Sequence, residues 1–189
     1  MVKYNYFDAL ESLSDGAYNA TLFACSENSV NTKKKISEIR ADADDTLFSI
    51  ENALFADFLP PLERDDIAAY AHTLSNVIDS AAEHSAISRA DRRIRRKTEQ
   101  ELICIEIAKE IKENTAALKG LRNQSDIPDI QKFRQLLRSG FDSHASDLSK
   151  LSVGNNISTH AHILLSAGRL RETLSRCYDT LLEVMLNNI

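Results

Sequence analysis

The sequence predicts an all-α protein, a bundle of six long helices. Three observations carry this. Apolar residues recur at three- and four-residue spacing along most of the chain, which places them on one face of a helix. Gly (5) and Pro (3) are scarce among 189 residues, too few punctuating residues for an all-β chain. Trp is absent and aromatics make up 6%, so the core is expected to consist of Leu, Ile and Ala at helical spacing. A 43% hydrophobic content supports a true core, and the length suits one domain or two small coupled ones.

The first helix is expected over about Tyr4–Cys25. Tyr6, Leu10, Leu13, Ala17, Ala20 and Ala24 form a seam whose far end is small enough for close approach. Ser26 to Asn31 reads as a turn, and Thr32 as the cap of a second helix. That helix carries Lys33, Lys34 and Lys35 in its first turn, against its dipole. An exposed basic collar is the expectation, with an anion or lipid-headgroup contact as the alternative. Its stripe is Ile36, Ile39, Ala43, Leu47, Ile50 and Leu54, and it ends near Phe58. Pro60 and Pro61 stop it, since proline removes a donor and clashes with the preceding turn.

A third helix opens at Leu62, with Glu63, Asp65 and Asp66 at the positive end of its dipole. It runs to about Ser88 with Ile67, Tyr70, Leu74, Val77, Ile78 and Ala81 inward. Arg89–Lys97 follows, with six cations among nine residues (Arg89, Arg92, Arg93, Arg95, Arg96 and Lys97). Its readings are a solvated connection or a contact for anionic lipid or an acidic partner. Without interleaved aromatics it does not suit nucleic acid. The fourth helix spans about Thr98–Leu121, with Leu102, Ile105, Ala108, Ile111, Thr115, Leu118 and Leu121 inward. The fifth covers about Asp129–Lys150, and the sixth about Ser158–Leu186 with Ile163, Ala167, Leu170, Leu174, Tyr178, Leu181 and Met185 inward. Six such helices make an up-and-down bundle or a pair of three-helix bundles. Three helices, a basic link and three more suggest an internal duplication with halves of about 1–92 and 93–189.

Composition excludes several classes. A net charge of −5 gives no general attraction to nucleic acid. Three distant cysteines (Cys25, Cys104 and Cys177) form neither a disulfide framework nor a metal pair, and each reads as a small core residue in a reducing compartment. The first residues lack a charged leader and apolar run, and no window approaches a membrane span. His160 and His162 are two apart and would point about 200° apart on a helix, so they cannot share a metal. His72, His84 and His144 stand singly and read as structural. No metalloprotease, phosphate-loop, dinucleotide or nucleophile-elbow motif occurs. A ferritin-like di-metal enzyme would need Glu-x-x-His, which is absent. The chain is therefore expected not to be an enzyme.

The segment Pro61-Leu62-Glu63-Arg64-Asp65-Asp66-Ile67, followed by Leu74-Ser75-Asn76-Val77-Ile78-Asp79, resembles the helix-opening signature of the PhoU-like family of phosphate-transport accessory proteins. The branch it resembles is the Pit-accessory one, with Pro-aromatic-Asp-Arg-Glu-Asp-Ile followed by Leu-Asp-Asp-Ile-Ile-Asp. Ile39-Arg40-Ala41-Asp42-Ala43-Asp44-Asp45 is similar to that family's Leu-Glu-His-Glu-Ala-Asp-Glu. The resemblance implies a divergent member, a single domain of two tandem three-helix bundles over 1–189. It also implies a cytoplasmic regulator of inorganic phosphate uptake that docks to a membrane transporter or its signalling partner, with peripheral contact at the inner membrane face.

In that family, acids four apart on a helix share metal ions. This chain has Arg40 before Asp44, Ser75 before Asp79, Arg138 before Asp142 and Arg171 before Ser175, so the first carboxylate is missing at each place. A guanidinium cannot be deprotonated and repels a cation, so Arg and Asp at this spacing make an ion pair. What remains of the metal site is Asp44, Asp79 and Glu83. No cofactor is expected beyond a weakly held divalent or iron ion, no nucleic-acid partner is expected, and the apolar helix edges are compatible with a homodimer. The partner contact is assigned to Arg89, Arg92, Arg93, Arg95, Arg96 and Lys97. The alternative is a helical scaffold unrelated to phosphate.

Overall fold

The computed structural model describes residues 4–26, 30–90, 98–120, 135, 138 and 157–188. Among these residues it is wholly helical, without a strand. The helices are α1 (Tyr6–Ser26), α2 (Val30–Ala56), α3 (Arg64–Ala90), α4 (Glu99–Ala117, closed by a 3₁₀ turn over Leu118–Gly120) and α5 (Ile157–Asn187). Helix α5 is the sixth helix of the sequence reading. The expected fifth helix lies outside the described residues except for Gln135 and Arg138, which are both helical and exposed.

Helices α1, α2 and α3 pack on one another as a three-helix bundle. Helix α4 packs on α1, α5 packs on α3, and α4 packs on α5. So α1, α3, α5 and α4 close a ring of four, and α2 lies against its outer side. Side-chain contacts fix the directions. At one end Lys119, after α4, reaches Asp8 and Glu11 of α1 at 2.8 Å each, and Asn188, after α5, reaches the start of α3. At the other end His84 of α3 meets Ser166 of α5 and Glu101 of α4. Helices α1 and α3 therefore run parallel, as do α4 and α5, and the two pairs oppose each other.

One connected core spans all five helices. Every residue expected inward on the first, third and sixth helices is buried. Each fully buried Leu or Ile contributes about 1.5–3 kcal/mol relative to exposure. Helix α4 differs from its expected stripe. Leu102 is 49% exposed, and the core side is Ile103, Cys104, Ile107, Ala108 and Ile111. Two apolar stripes one residue apart compete on this helix. The helix turns so that Glu101 faces His84, which carries Leu102 outward. The expected cap Thr32 lies within the first turn of α2, which begins at Val30, and is buried. Lys33, Lys34 and Lys35 are exposed, Lys34 sits 3.5 Å from Glu38, and Lys35 stacks 4.5 Å over Phe23.

The double-proline segment is a structural knot. The Arg64 guanidinium donates to the carbonyls of Leu54, Asp57 and Phe58, closing the open end of α2 with positive charge. The Asn188 side chain accepts from Glu63 N at 3.2 Å and donates to Asp66 at 2.8 Å. Asn187 donates to Asp66 as well, at 3.2 Å. The acids at the start of α3 thus hold the end of α5, so this segment joins α2, α3 and α5 at one end of the bundle.

Gly16, in mid-α1, faces Ile39 of α2 and Ile78 of α3. A Cβ there would stand 3.4 Å from both Ile39 and Ile78, an ordinary contact. Gly in a helix interior costs about 1 kcal/mol against Ala. Gly16→Ala is therefore expected to raise stability by about 0.5–1 kcal/mol, measured by urea unfolding. Gly16→Leu should lower it, because the larger side chain has to displace Ile39 and Ile78.

Candidate functional site

Of the acids singled out by sequence, Asp79 and Glu83 lie on the exposed side of α3, which α2 and α5 flank. Asp79 and Glu83 are one turn apart on α3, so both carboxylates emerge from one side. Each is held by an arginine from a neighbouring helix. Arg40 Nε of α2 stands 2.7 Å from Asp79 Oδ1, and Arg169 Nη1 of α5 stands 2.8 Å from Glu83 Oε1. The expected Arg40–Asp44 pair along α2 is replaced by this pair across helices, and Asp44 is exposed on α2. A third pair, Arg176 with Glu172, follows on α5.

Between α3 and α5 these residues border a groove of about 320 Å³, lined by Thr73, Asn76, Asp79, Ser80, Glu83, Thr173 and Arg176. Ser80 and Thr173 hydrogen-bond across its floor at 3.0 Å. All the ion pairs are about half exposed, so each adds little to stability, within about 1 kcal/mol. Their chemical effect is larger. A hard cation needs several oxygen donors free of competing positive charge. Here each α3 carboxylate faces a fixed guanidinium that would have to leave first. Among the described residues no three acid, His or Cys groups converge as a metal-binding cluster. Among the described residues, the donors at Asp79 and Glu83 do not fit the metal cluster that the resemblance implies.

The other positions disperse. Arg138 is exposed and Asp142 lies outside the described residues. Arg171 faces inward at 7% exposure, near Cys104, and burial lowers its pKa. Arg89 folds back in the last turn of α3, where its Nε donates to Ser85 O at 3.0 Å. Arg92, Arg93, Arg95, Arg96 and Lys97 lie outside the described residues.

A second polar cluster, unforeseen as such, is fully enclosed. The His84 side chain on α3 is 0% exposed. Its Nδ1 hydrogen-bonds Ser166 Oγ of α5 at 2.8 Å and its Nε2 lies 3.1 Å from Glu101 Oε1 of α4. Ser88 Oγ approaches Nε2 at 3.3 Å. The other Glu101 oxygen accepts from Thr98 N at 2.7 Å, and Thr98 Oγ1 accepts from Glu101 N at 3.2 Å, a complete capping box at the start of α4. His84 is thus a structural histidine that pins three helices. The readable signal was Thr98-x-x-Glu101 ahead of an apolar run; nothing in the spacing paired it with His84.

All three cysteines are buried, as their apolar surroundings suggested. Burial pushes the thiols of Cys104 and Cys177 up to about 12. Tyr70 is raised too by burial, with its hydroxyl 2.5 Å from Thr115 Oγ1. No helix among the described residues is long and apolar enough to cross a membrane.

No family model matches the sequence. No curated protein matches it either. Solved structures do match in fold. A PhoU-like protein from Shewanella oneidensis MR-1 superposes with a TM-score of 0.76 at 14% identity, covering 96% of this chain and 99% of its own. A second, described as a proposed PhoU-like phosphate regulatory protein of the same organism, gives 0.77 at 16% identity, covering 98% and 100%. The chain therefore has the PhoU-like helical-bundle fold over almost its whole length.

Proposed function

We propose that this chain is a non-enzymatic regulatory or accessory protein of inorganic phosphate transport, acting on the cytoplasmic side by docking to a membrane transporter or its signalling partner. The observation that carries this reading is the fold shared end to end with PhoU-like proteins, one of them described by phosphate regulation. The double-proline signature supports placement near the Pit-accessory branch. The opposed parallel pairs, α1 with α3 and α4 with α5, support a single domain built from two related halves, about 1–92 and 93–189. The arginines at Asp79 and Glu83 support a metal site that has degenerated, leaving a bundle that works through its surfaces.

Deletion of the gene is expected to alter phosphate uptake in its host, and charge reversal at Arg92, Arg93, Arg95 and Arg96 to reproduce the deletion. Uptake unchanged in both would leave a helical scaffold unrelated to phosphate. Elemental analysis of the purified protein is expected to find less than one metal per chain. Stoichiometric iron, zinc or magnesium that disappears in Asp44→Ala and Asp79→Ala would overturn the degenerate-site reading.

A further inference from the structure

The outer face of α2 carries aromatic side chains that the core does not need. Its inner stripe buries Ile36, Ala43, Ile50 and Leu54, with Ile39 and Leu47 partly buried against the core. On the opposite side Phe48 is 65% and Phe55 91% exposed. They are seven residues apart, so they stand nearly in line, about 10 Å from one another along the helix. Phe58 and Leu59, just past the helix end, are 88% and 71% exposed. Leu186, near the end of α5, is 70% exposed. It belongs to the same end of the bundle, since Asn188 bonds Glu63 and shares a depression of about 410 Å³ with Phe58, Leu59 and Pro61. Five large apolar side chains left exposed toward one end of the bundle mark an interaction site.

The charges around it select the occupant. Asp44 and Asp45 precede Phe48 by one turn, and Glu63, Asp65 and Asp66 follow the prolines. Arg64, in their midst, is turned inward onto the carbonyls of α2. Lys33–Lys35 lie toward the far end of α2, about 20 Å from Phe48. The ridge is therefore apolar with an acidic border. Anionic lipid would be repelled by that border. A second copy would bring like acids face to face.

We propose that Phe48, Phe55, Phe58, Leu59 and Leu186 form a docking surface for a basic amphipathic helix of a partner protein. The seven-residue spacing of Phe48 and Phe55 matches the apolar anchors such a helix presents at i and i+7. Its Lys and Arg flanks would meet Asp44, Asp45, Glu63 and Asp65. The surface lies at the opposite end of α3 from Arg89, about 40 Å away, and does not rest on the phosphate reading.

The test uses the full chain and a designed 18-residue amphipathic peptide of leucine and lysine, followed by fluorescence anisotropy. The wild type should bind it, and the double variant Phe48→Ser, Phe55→Ser should bind at least tenfold more weakly. Both side chains are exposed, so the variant should keep its helical circular dichroism. A peptide with glutamate in place of lysine should not bind. Equal binding by wild type and variant, or by the lysine and glutamate peptides, would overturn the proposal. Sedimentation with vesicles rich in phosphatidylglycerol, or self-association, that is lost in the variant would overturn it in favour of a membrane or a second copy.

Discussion

Glu101→Ala is expected to lower the free energy of unfolding by about 2–4 kcal/mol, read from the urea midpoint at constant slope. The side chain is 9% exposed and serves two partners at once. One oxygen faces His84 Nε2, and the other accepts from Thr98 N and Thr98 Oγ1. Truncation leaves a fully buried imidazole without its carboxylate and opens the cap of α4. Loss of a cap alone costs about 1 kcal/mol, so the larger share belongs to the buried ring, left with only the Ser166 and Ser88 hydroxyls. Glu101→Gln retains an acceptor for Thr98 and should cost about 1–2 kcal/mol. The control is Glu99→Ala, an exposed acid in the same first turn that also complements the helix dipole. Equal losses at Glu99 and Glu101 would mean that dipole charge, and not the buried contact with His84, sustains this end of the bundle.

What could be read from the chain follows the strength of each local signal. Tyr6, Leu10, Leu13 and Ala17 lie on a single face with polar neighbours, and only one helix orientation buries them. The same holds for Ile67 to Ala81 and for Ile163 to Met185. Helix ends came within a few residues where a cap or proline marks them: Thr98 at α4 and Pro60 after α2. Helix α4 offered two adjacent stripes, and a contact with α3 decided between them, which no local pattern encodes. Asp44 read as a poor metal donor because Arg40 precedes it by one turn, and Asp79 because Ser75 stands where the first carboxylate would. The partners of Asp79 and Glu83 were not readable, since Arg40 to Asp79 and Arg169 to Glu83 are contacts between helices. The aromatic ridge escaped for a further reason. Phe48 and Phe55 are apolar residues on the polar side of an amphipathic helix, and a periodicity search sets them aside as exceptions to the stripe.

Alkaline pH is expected to unfold this bundle well before its surface ion pairs matter. Cys104 and Cys177 are fully buried, and desolvation lifts both thiols from the ordinary 9.0 to about 12. Arg171 opposes the shift at Cys104, and a hydrogen bond from Thr73 opposes it at Cys177, but burial wins at both. Below about pH 9 the folded and unfolded chains both keep these protons, so stability is flat with respect to the two groups. Above it the unfolded chain releases protons that the folded chain retains, and the balance moves toward the unfolded state. The slope is about 1.4 kcal/mol per pH unit for each thiol, continuing until the folded thiols themselves ionise near 12. Two thiols over three pH units amount to about 8 kcal/mol, comparable to the whole stability of a typical domain. Urea midpoints at pH 8, 9.5 and 11 should therefore fall steeply. Cys104→Ala and Cys177→Ala should each remove a comparable share of the slope that sets in above pH 9, after allowance for a constant cavity cost that appears already at pH 8. A slope left undiminished by both substitutions would place the alkaline sensitivity in the tyrosines that burial raises, Tyr70 and Tyr6.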